Sequence, residues 1–234
     1  MSELITVTEE ENYCLIQMDD GKANALGFAM FEALDGALDR AGETAKVIVI
    51  AGRPGKFSAG FDLNVMGQGG EQMIELLNKG QQLSNRLLTW DTPVVLAVSG
   101  HALAMGALLI LSADYRIGIH GNYKIGLNEV AIGMTLPRFG VELARARLVK
   151  THFDRAVGLA QLYDAEGAVA AGYLDQAVEE SELLDAATGL ATQLAGLDMT
   201  AHKNTKARNR EPLMKALEIA VAADFSGATS PIAN

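Results

Sequence analysis

Apolar residues recur along this chain in two periods, short continuous or alternating runs that mark strands and three-to-four spacing that marks helices. Leu4–Thr8 and Tyr13–Met18 read as strands joined across the acidic turn Glu9–Asn12. Phe28–Arg40 carries Met30, Ala33, Leu34 and Leu38 at helical spacing, with Gly42 as the expected stop. Lys46–Ala51 (KVIVIA) is a β-branched run suited to a strand covered on both faces. A Gly-rich loop spans Gly52–Asp62, and a helical pattern over Gln72–Leu88 is closed by Trp90 and Pro93. Pro93–Val98 repeats the buried-strand pattern, and Gly100 opens a small-residue turn into an apolar helix, Met105–Ser112. Tyr115–Ile119 and Tyr123–Ile125 are short strands. From Pro137 the pattern is helical, over Leu143–Val149, Phe153–Leu162, Ala165–Ala171, Leu183–Leu197 and Pro212–Ala223. Strands early, βα alternation between and helices late predict a layered α/β domain with a helical tail.

Composition narrows the function classes. The 234 residues are 49% hydrophobic and 21% charged, enough for a substantial core. A net charge of −10 argues against non-specific nucleic-acid binding, which depends on neutralising phosphates. One basic patch, His202, Lys203, Lys206, Arg208 and Arg210, reads as a solvated helix end, with a phosphorylated ligand as the alternative. The longest apolar runs, Ala102–Leu111 and Pro93–Val98, fall far short of the ~20 residues that cross a bilayer. The polar, acidic first residues fit neither a secretory signal nor a transit peptide. The single cysteine, Cys14, allows no intrachain disulfide and reads as a small core residue. Together these features predict a cytoplasmic setting, without membrane or nucleic-acid partners.

Several motifs are set aside. Gly52-Arg-Pro-Gly-Lys56 has too few residues between its glycines for a phosphate loop, and Phe57 follows the lysine. His101, His120, His152 and His202 show no metal-ligand spacing, so no metal site is expected. His101 reads as a packing residue.

Two loops share an unusual design. Phe57-Ser-Ala-Gly-Phe-Asp-Leu-Asn64 comes soon after KVIVIA, and Gly100-His-Ala-Leu-Ala-Met-Gly-Ala107 follows the next buried strand directly. Small residues where a chain leaves a strand let peptide N–H groups approach a ligand closely, and the second loop adds a helix N-terminus. Two converging donors make an oxyanion hole, although tight βα connections alone look similar.

Read together, the segments resemble the crotonase (enoyl-CoA hydratase/isomerase) superfamily. The resemblance rests on Ala59-Gly-Phe-Asp62 and Gly100-His-Ala-Leu-Ala-Met-Gly106, flanked by Asn24-Ala-Leu26, Trp90-Asp-Thr-Pro93, Ser112-Ala-Asp-Tyr-Arg116 and Lys124-Ile-Gly-Leu-Asn-Glu129. It runs from about residue 4 to residue 176. It implies an α/β fold, a crotonase-like spiral of β-β-α units over residues 1–176, with a C-terminal helical segment at 177–234 that serves in trimerisation. The implied assembly is a homotrimer or a dimer of trimers. The implied substrate is an acyl-CoA thioester, whose coenzyme A is part of the substrate, so no separate cofactor is expected.

Carried over by position, the oxyanion donors are the N–H groups of Phe61 and Met105. Met105 stands where the family has Gly, and its side chain is expected to narrow the pocket. Lys22, Ala23 and Ala25, with Ala59, Asp62, Leu63 and Asn64, are the positions that hold coenzyme A; Asp62 serves equally well as a helix N-cap. The hydratase branch uses two glutamates. The first of these positions is Leu108, a substrate-lining residue that cannot carry a proton, and the second is Glu129. Glu129 amid Val130, Ala131 and Ile132 suits a general base whose pKa burial raises; a surface glutamate at a strand end is the alternative. One glutamate without its partner resembles the isomerases that convert 3-enoyl-CoA to 2-enoyl-CoA. Hydration, another acyl-CoA reaction and a non-catalytic acyl-CoA-binding subunit stay open.

Overall fold

The computed structural model describes residues 4–225. The chain opens with β1 (Ile5–Glu9) and β2 (Cys14–Met18), antiparallel to each other, then α1 (Phe28–Thr44) and β3 (Ile48–Ala51). β4 (Gly55–Ser58), the short α2 (Leu63–Met66) and α3 (Gly70–Leu88) follow. Next come β5 (Val94–Val98), β6 (Gly100–Leu103), α4 (Met105–Ser112), β7 (Tyr115–Ile119) and β8 (Ile125–Gly126). The chain continues through α5 (Arg138–Arg147), α6 (Lys150–Val157), α7 (Ala165–Ala171), β9 (Gln176–Val178), α8 (Leu183–Leu194) and α9 (Met199–Phe225). Six strands form one sheet in the order β1-β2-β3-β5-β7-β9, and β4-β6-β8 form a second, parallel sheet.

The KVIVIA run is apolar throughout because both faces of its sheet are covered. Ile48, Ile50, Val94, Leu96 and Val98 face a core shared with α1, α3 and α4. Val47, Val49, Ala51, Val95 and Ala97 face the other way, onto Leu183, Ala187 and Ala191 of α8. The apolar face of α8 is thus spent on its own sheet. α4 is buried on every side, which explains its lack of a polar face.

Three strands were illegible as strands. β4 and β6 lie in segments read as a loop and a turn, and β9 was not anticipated. All are three or four residues long, rich in Gly or small residues, and carry no alternation. β9 pairs with β7 and begins at Gln176, so it crosses from residue 176 into the segment expected to be helical. Gly42 does not end α1, which runs on to Thr44. A β-carbon there would sit 3.3 Å from the Trp90 ring, so the residue is small for packing.

Other boundaries also differ. The helix expected over Phe153–Leu162 is α6, ending at Val157. Pro212 does not begin a helix but lies inside the 27-residue α9. The patch on that helix is solvated only in part, at Lys203 and Arg208. Lys206 and Arg210 are buried, and their side chains reach the Asp114 carboxylate at 2.6 and 2.7 Å. Asp114 also accepts from the Val94 N–H at 2.9 Å, so it ties α9 to the start of β5. Its neighbour Arg116 forks onto Asp175 at 2.8 Å and donates to the Gly172 carbonyl. Asp114 therefore holds the helical tail on the sheet, and Arg116 holds the turn between α7 and β9.

Candidate active site

Two loops are sewn together before either reaches a substrate. The Asp20 carboxylate accepts from the N–H groups of Lys22 (2.7 Å), Asn24 (2.9 Å) and Ala25 (3.1 Å), bending residues 20–25 into a tight turn. Burial works to raise the Asp20 pKa, but those N–H groups and nearby Arg53 outweigh it and hold the carboxyl below its usual range. Asn24 is fully buried at φ +50°, and its amide donates to the carbonyls of Met18 and Phe57. The Ser58 hydroxyl donates to the Asn24 carbonyl at 2.8 Å, and the Ala59 N–H to the Ala23 carbonyl at 3.0 Å. A parallel bridge pairs Leu26 with Phe61. Lys22, Ala23 and Ala25 thus form a ledge alongside Ala59, without lining the cavity beside Glu129.

The second loop closes on the first at Gly60. Gly60 has φ +91°, and a β-carbon there would lie 2.9 Å from both the Ala104 β-carbon and the Leu103 carbonyl oxygen, and 3.3 Å from the Met105 nitrogen. Only glycine allows this approach. It brings Phe61 and Met105 side by side, and neither N–H bonds to a described group. Ala104 holds φ +49°, ψ −122°, a region costly for a residue with a β-carbon. That backbone is what starts α4 at Met105. Ala104→Gly is expected to raise the unfolding free energy by ~1 kcal/mol in a denaturant titration, because the strain is relieved.

The Met105 side chain is buried against α3, where a β-carbon on Gly80 would sit 3.0 Å from its sulfur and 2.6 Å from the Phe61 ring. Gly80 is the unrecognised partner of Met105: the missing β-carbon makes room for the thioether. Asp62 accepts from the Asn64 N–H at 2.9 Å and caps α2, so its helix-capping role is the one observed. Leu63 is 69% exposed at the mouth. His101 is a packing residue, accepting from the Lys124 N–H and standing edge-on to Tyr123.

Glu129 is positioned by β8, whose neighbour β6 leads into the Met105 turn. Its carbonyl accepts from the N–H groups of Ile132 (3.1 Å) and Met134 (2.9 Å), fixing a single tight turn. The side chain is buried, with the residue 8% exposed, and Oε2 has no partner among the described residues. Burial raises the carboxyl to about 7.

This carboxyl faces two cavities. An outer one of about 140 Å³ is lined by Ala59, Phe61, Leu63, Ala104, Asn128 and Glu129, among others. An inner one of about 30 Å³ touches Phe61, Leu77, Met105, Leu108, Glu129 and Phe225. Leu108 therefore shares a cavity with Glu129, as the sequence positions imply. The other carboxylate on the inner cavity, Asp224, is bound to the N–H groups of Arg138 (3.1 Å) and Phe139 (3.0 Å). A larger groove of about 710 Å³ runs between α3 and α9, but it contains neither Glu129 nor the two loops. Of the three cavities, the two beside Glu129 hold a desolvated carboxyl.

The fold is the crotonase-like one, a spiral of strand–strand–helix units with free N–H groups beside a buried acid. The model of the family "Enoyl-CoA hydratase/isomerase" matches residues 8–234, and the chain belongs to that family. It is 32% identical over 167 residues to the human protein "Enoyl-CoA delta isomerase 1, mitochondrial", covering 70% of this chain and 55% of the relative. The chain thus spans about half the length of that isomerase. It is 31% identical over 198 residues to a carnitinyl-CoA dehydratase of Salmonella enteritidis, covering 83% of this chain and 75% of the relative. A solved enoyl-CoA hydratase/isomerase family protein from Pseudomonas syringae superposes with a TM-score of 0.94 at 42% identity, over 97% of this chain and 99% of that one.

Asn24, Ser58 and Gly60 stand in the motif segments that the sequence singles out, with no role of their own assigned there, and Asp20 and Gly80 lie outside them. Asp20 and Asn24 had a signal, an Asp-rich turn before an Asn suited to a left-handed backbone. Gly80, inside a helix, had none.

Proposed function

We propose that the chain isomerises a 3-enoyl-CoA to the conjugated 2-enoyl-CoA, with Glu129 as the single proton carrier. The observation that carries this reading is one buried carboxyl, its Oε2 without a partner among the described residues, in a cavity that Leu108 also lines. The thioester oxygen takes the N–H groups of Phe61 and Met105. Glu129 removes a proton from the α carbon, and the negative charge that develops on the oxygen is held by those two donors. The protonated carboxyl then returns the proton to the γ carbon, and the double bond moves into conjugation. A pKa near 7 suits both halves of the cycle, because the group is a usable base and afterwards a usable acid.

Leu108 supports isomerisation over hydration, since it offers no second carboxylate to activate water. Asp224 is engaged by two N–H groups and does not replace it. The free Met105 N–H favours an enzyme over a binding subunit. The reading needs no cofactor beyond the coenzyme A of the substrate. The relatives named for an isomerase and for a dehydratase do not separate the reactions.

Incubation with 3-hexenoyl-CoA is expected to raise the ultraviolet absorbance of the conjugated thioester. A fall in that absorbance with 2-hexenoyl-CoA, and no rise with the first substrate, would mean hydration. For the isomerisation, kcat/KM should be level above pH 7 and fall about tenfold per pH unit below it, because Glu129 must start ionised. A profile flat down to pH 5 would exclude Glu129 as the titrating base.

A further inference from the structure

The inner cavity ends on α9, the element furthest from the two loops in sequence. Its last turn supplies Phe225 to the cavity wall, opposite Leu77 and Leu108. That turn is held in place by the Asp224 carboxylate, which takes the Arg138 and Phe139 N–H groups at the start of α5, with the Arg138 guanidinium 3.5 Å away. α5 has no side-chain cap of its own, since Pro137 precedes it. Asp224 therefore caps a helix from 85 residues away, and the cap doubles as a clasp.

We propose that this clasp makes the last turn of α9 the floor of the acyl pocket and restricts the protein to acyl chains of about six carbons. The inference rests on the acyl-CoA reading of the Glu129 site, though not on the reaction performed there. With the thioester oxygen at Phe61 and Met105 and the α carbon beside Glu129, the acyl chain fills the rest of the outer cavity and then the inner one. A space of about 140 Å³ is close to that which accepts a benzene-sized group, and a further 30 Å³ is about the volume of one water in the liquid. Past that point the chain meets Phe139 and Phe225, among the described residues, with the latter held by the engaged Asp224.

The test is binding of the saturated, unreactive butanoyl-, hexanoyl-, octanoyl- and decanoyl-CoA by calorimetry, to the intact protein and to Asp224→Ala and Phe225→Ala. For the unchanged protein, Kd should fall by about fourfold per added methylene up to hexanoyl and then stop falling. In the variants, decanoyl-CoA should gain at least tenfold over hexanoyl-CoA. Phe225→Ala leaves the clasp intact and answers the question even if Asp224→Ala does not fold. Continued tightening to decanoyl in the unchanged protein, or an unaltered decanoyl-to-hexanoyl ratio in Phe225→Ala, overturns the proposal. Because these ligands cannot isomerise, failure of the isomerase assay leaves this result readable. Absence of binding by all four would overturn the acyl-CoA reading and the floor together.

Discussion

Glu129→Gln is expected to reduce turnover of 3-hexenoyl-CoA by about 10²–10⁴-fold while leaving acyl-CoA affinity nearly intact. Gln matches the volume and polarity of the protonated acid but cannot accept a proton. The proposed oxyanion donors are backbone groups of Phe61 and Met105, which the substitution does not touch. Steady-state kinetics beside a binding titration separates the two effects, and unchanged turnover would point to another base. The same variant carries a stability signature. Burial lifts the folded-state pKa of Glu129 from 4.5 to about 7, so the fold prefers the neutral form. Below pH 4.5 both folded and unfolded chains are protonated, and the carboxyl costs nothing. The cost grows between pH 4.5 and about 7 and is constant above. At pH 8 the variant should therefore be more stable than the parent by ~3 kcal/mol, a gain that vanishes toward pH 4. A base kept out of water lowers stability in exchange for reactivity.

Asp114→Ala should be the most damaging substitution outside the cavities. It would strand Lys206 and Arg210, both buried, and free the Val94 N–H. Burial already draws the Lys206 pKa down to about 8, with Asp114 opposing that shift. Without Asp114 the ammonium would be driven lower still. Removing one partner from such a cluster costs ~3 kcal/mol or more, and α9 should lose its hold on β5. Chemical denaturation measures the loss. A change under ~1 kcal/mol would show that Asp114 is a surface residue in effect. Since α9 also carries Asp224, a partial detachment should weaken the acyl pocket before the chain unfolds globally.

Much of this arrangement was legible in the sequence, for physical reasons that differ by element. α4, β7 and α7 fall where the apolar pattern puts them, and α7 is bounded besides by the Asp164 cap and the left-handed Gly172. Glu129 stood out as a charge in an apolar stretch, and its burial follows from the turn after β8. The second sheet did not stand out. Strands of two to four residues, one beginning at Gly100 and another at Gly55, carry no period to read. The basic patch misled because charge on a helix usually means solvent, whereas Lys206 and Arg210 have a partner 92 and 96 residues away. Gly42 and Gly80 misled or were silent for one reason: each is small to admit a side chain from elsewhere, Trp90 in one case and Phe61 with Met105 in the other. Tertiary fit of that kind leaves no local trace.

The most direct test of proton transfer by Glu129 is turnover of 3-hexenoyl-CoA in deuterium oxide, with the product analysed by mass spectrometry and proton NMR. The expected result is conjugated 2-hexenoyl-CoA whose γ carbon has gained mostly protium, since a carboxyl on a residue only 8% exposed returns the proton it removed. A γ carbon fully labelled with deuterium, or a hydroxyacyl product, would contradict it: the first would make solvent the proton source, and the second would make the reaction a hydration.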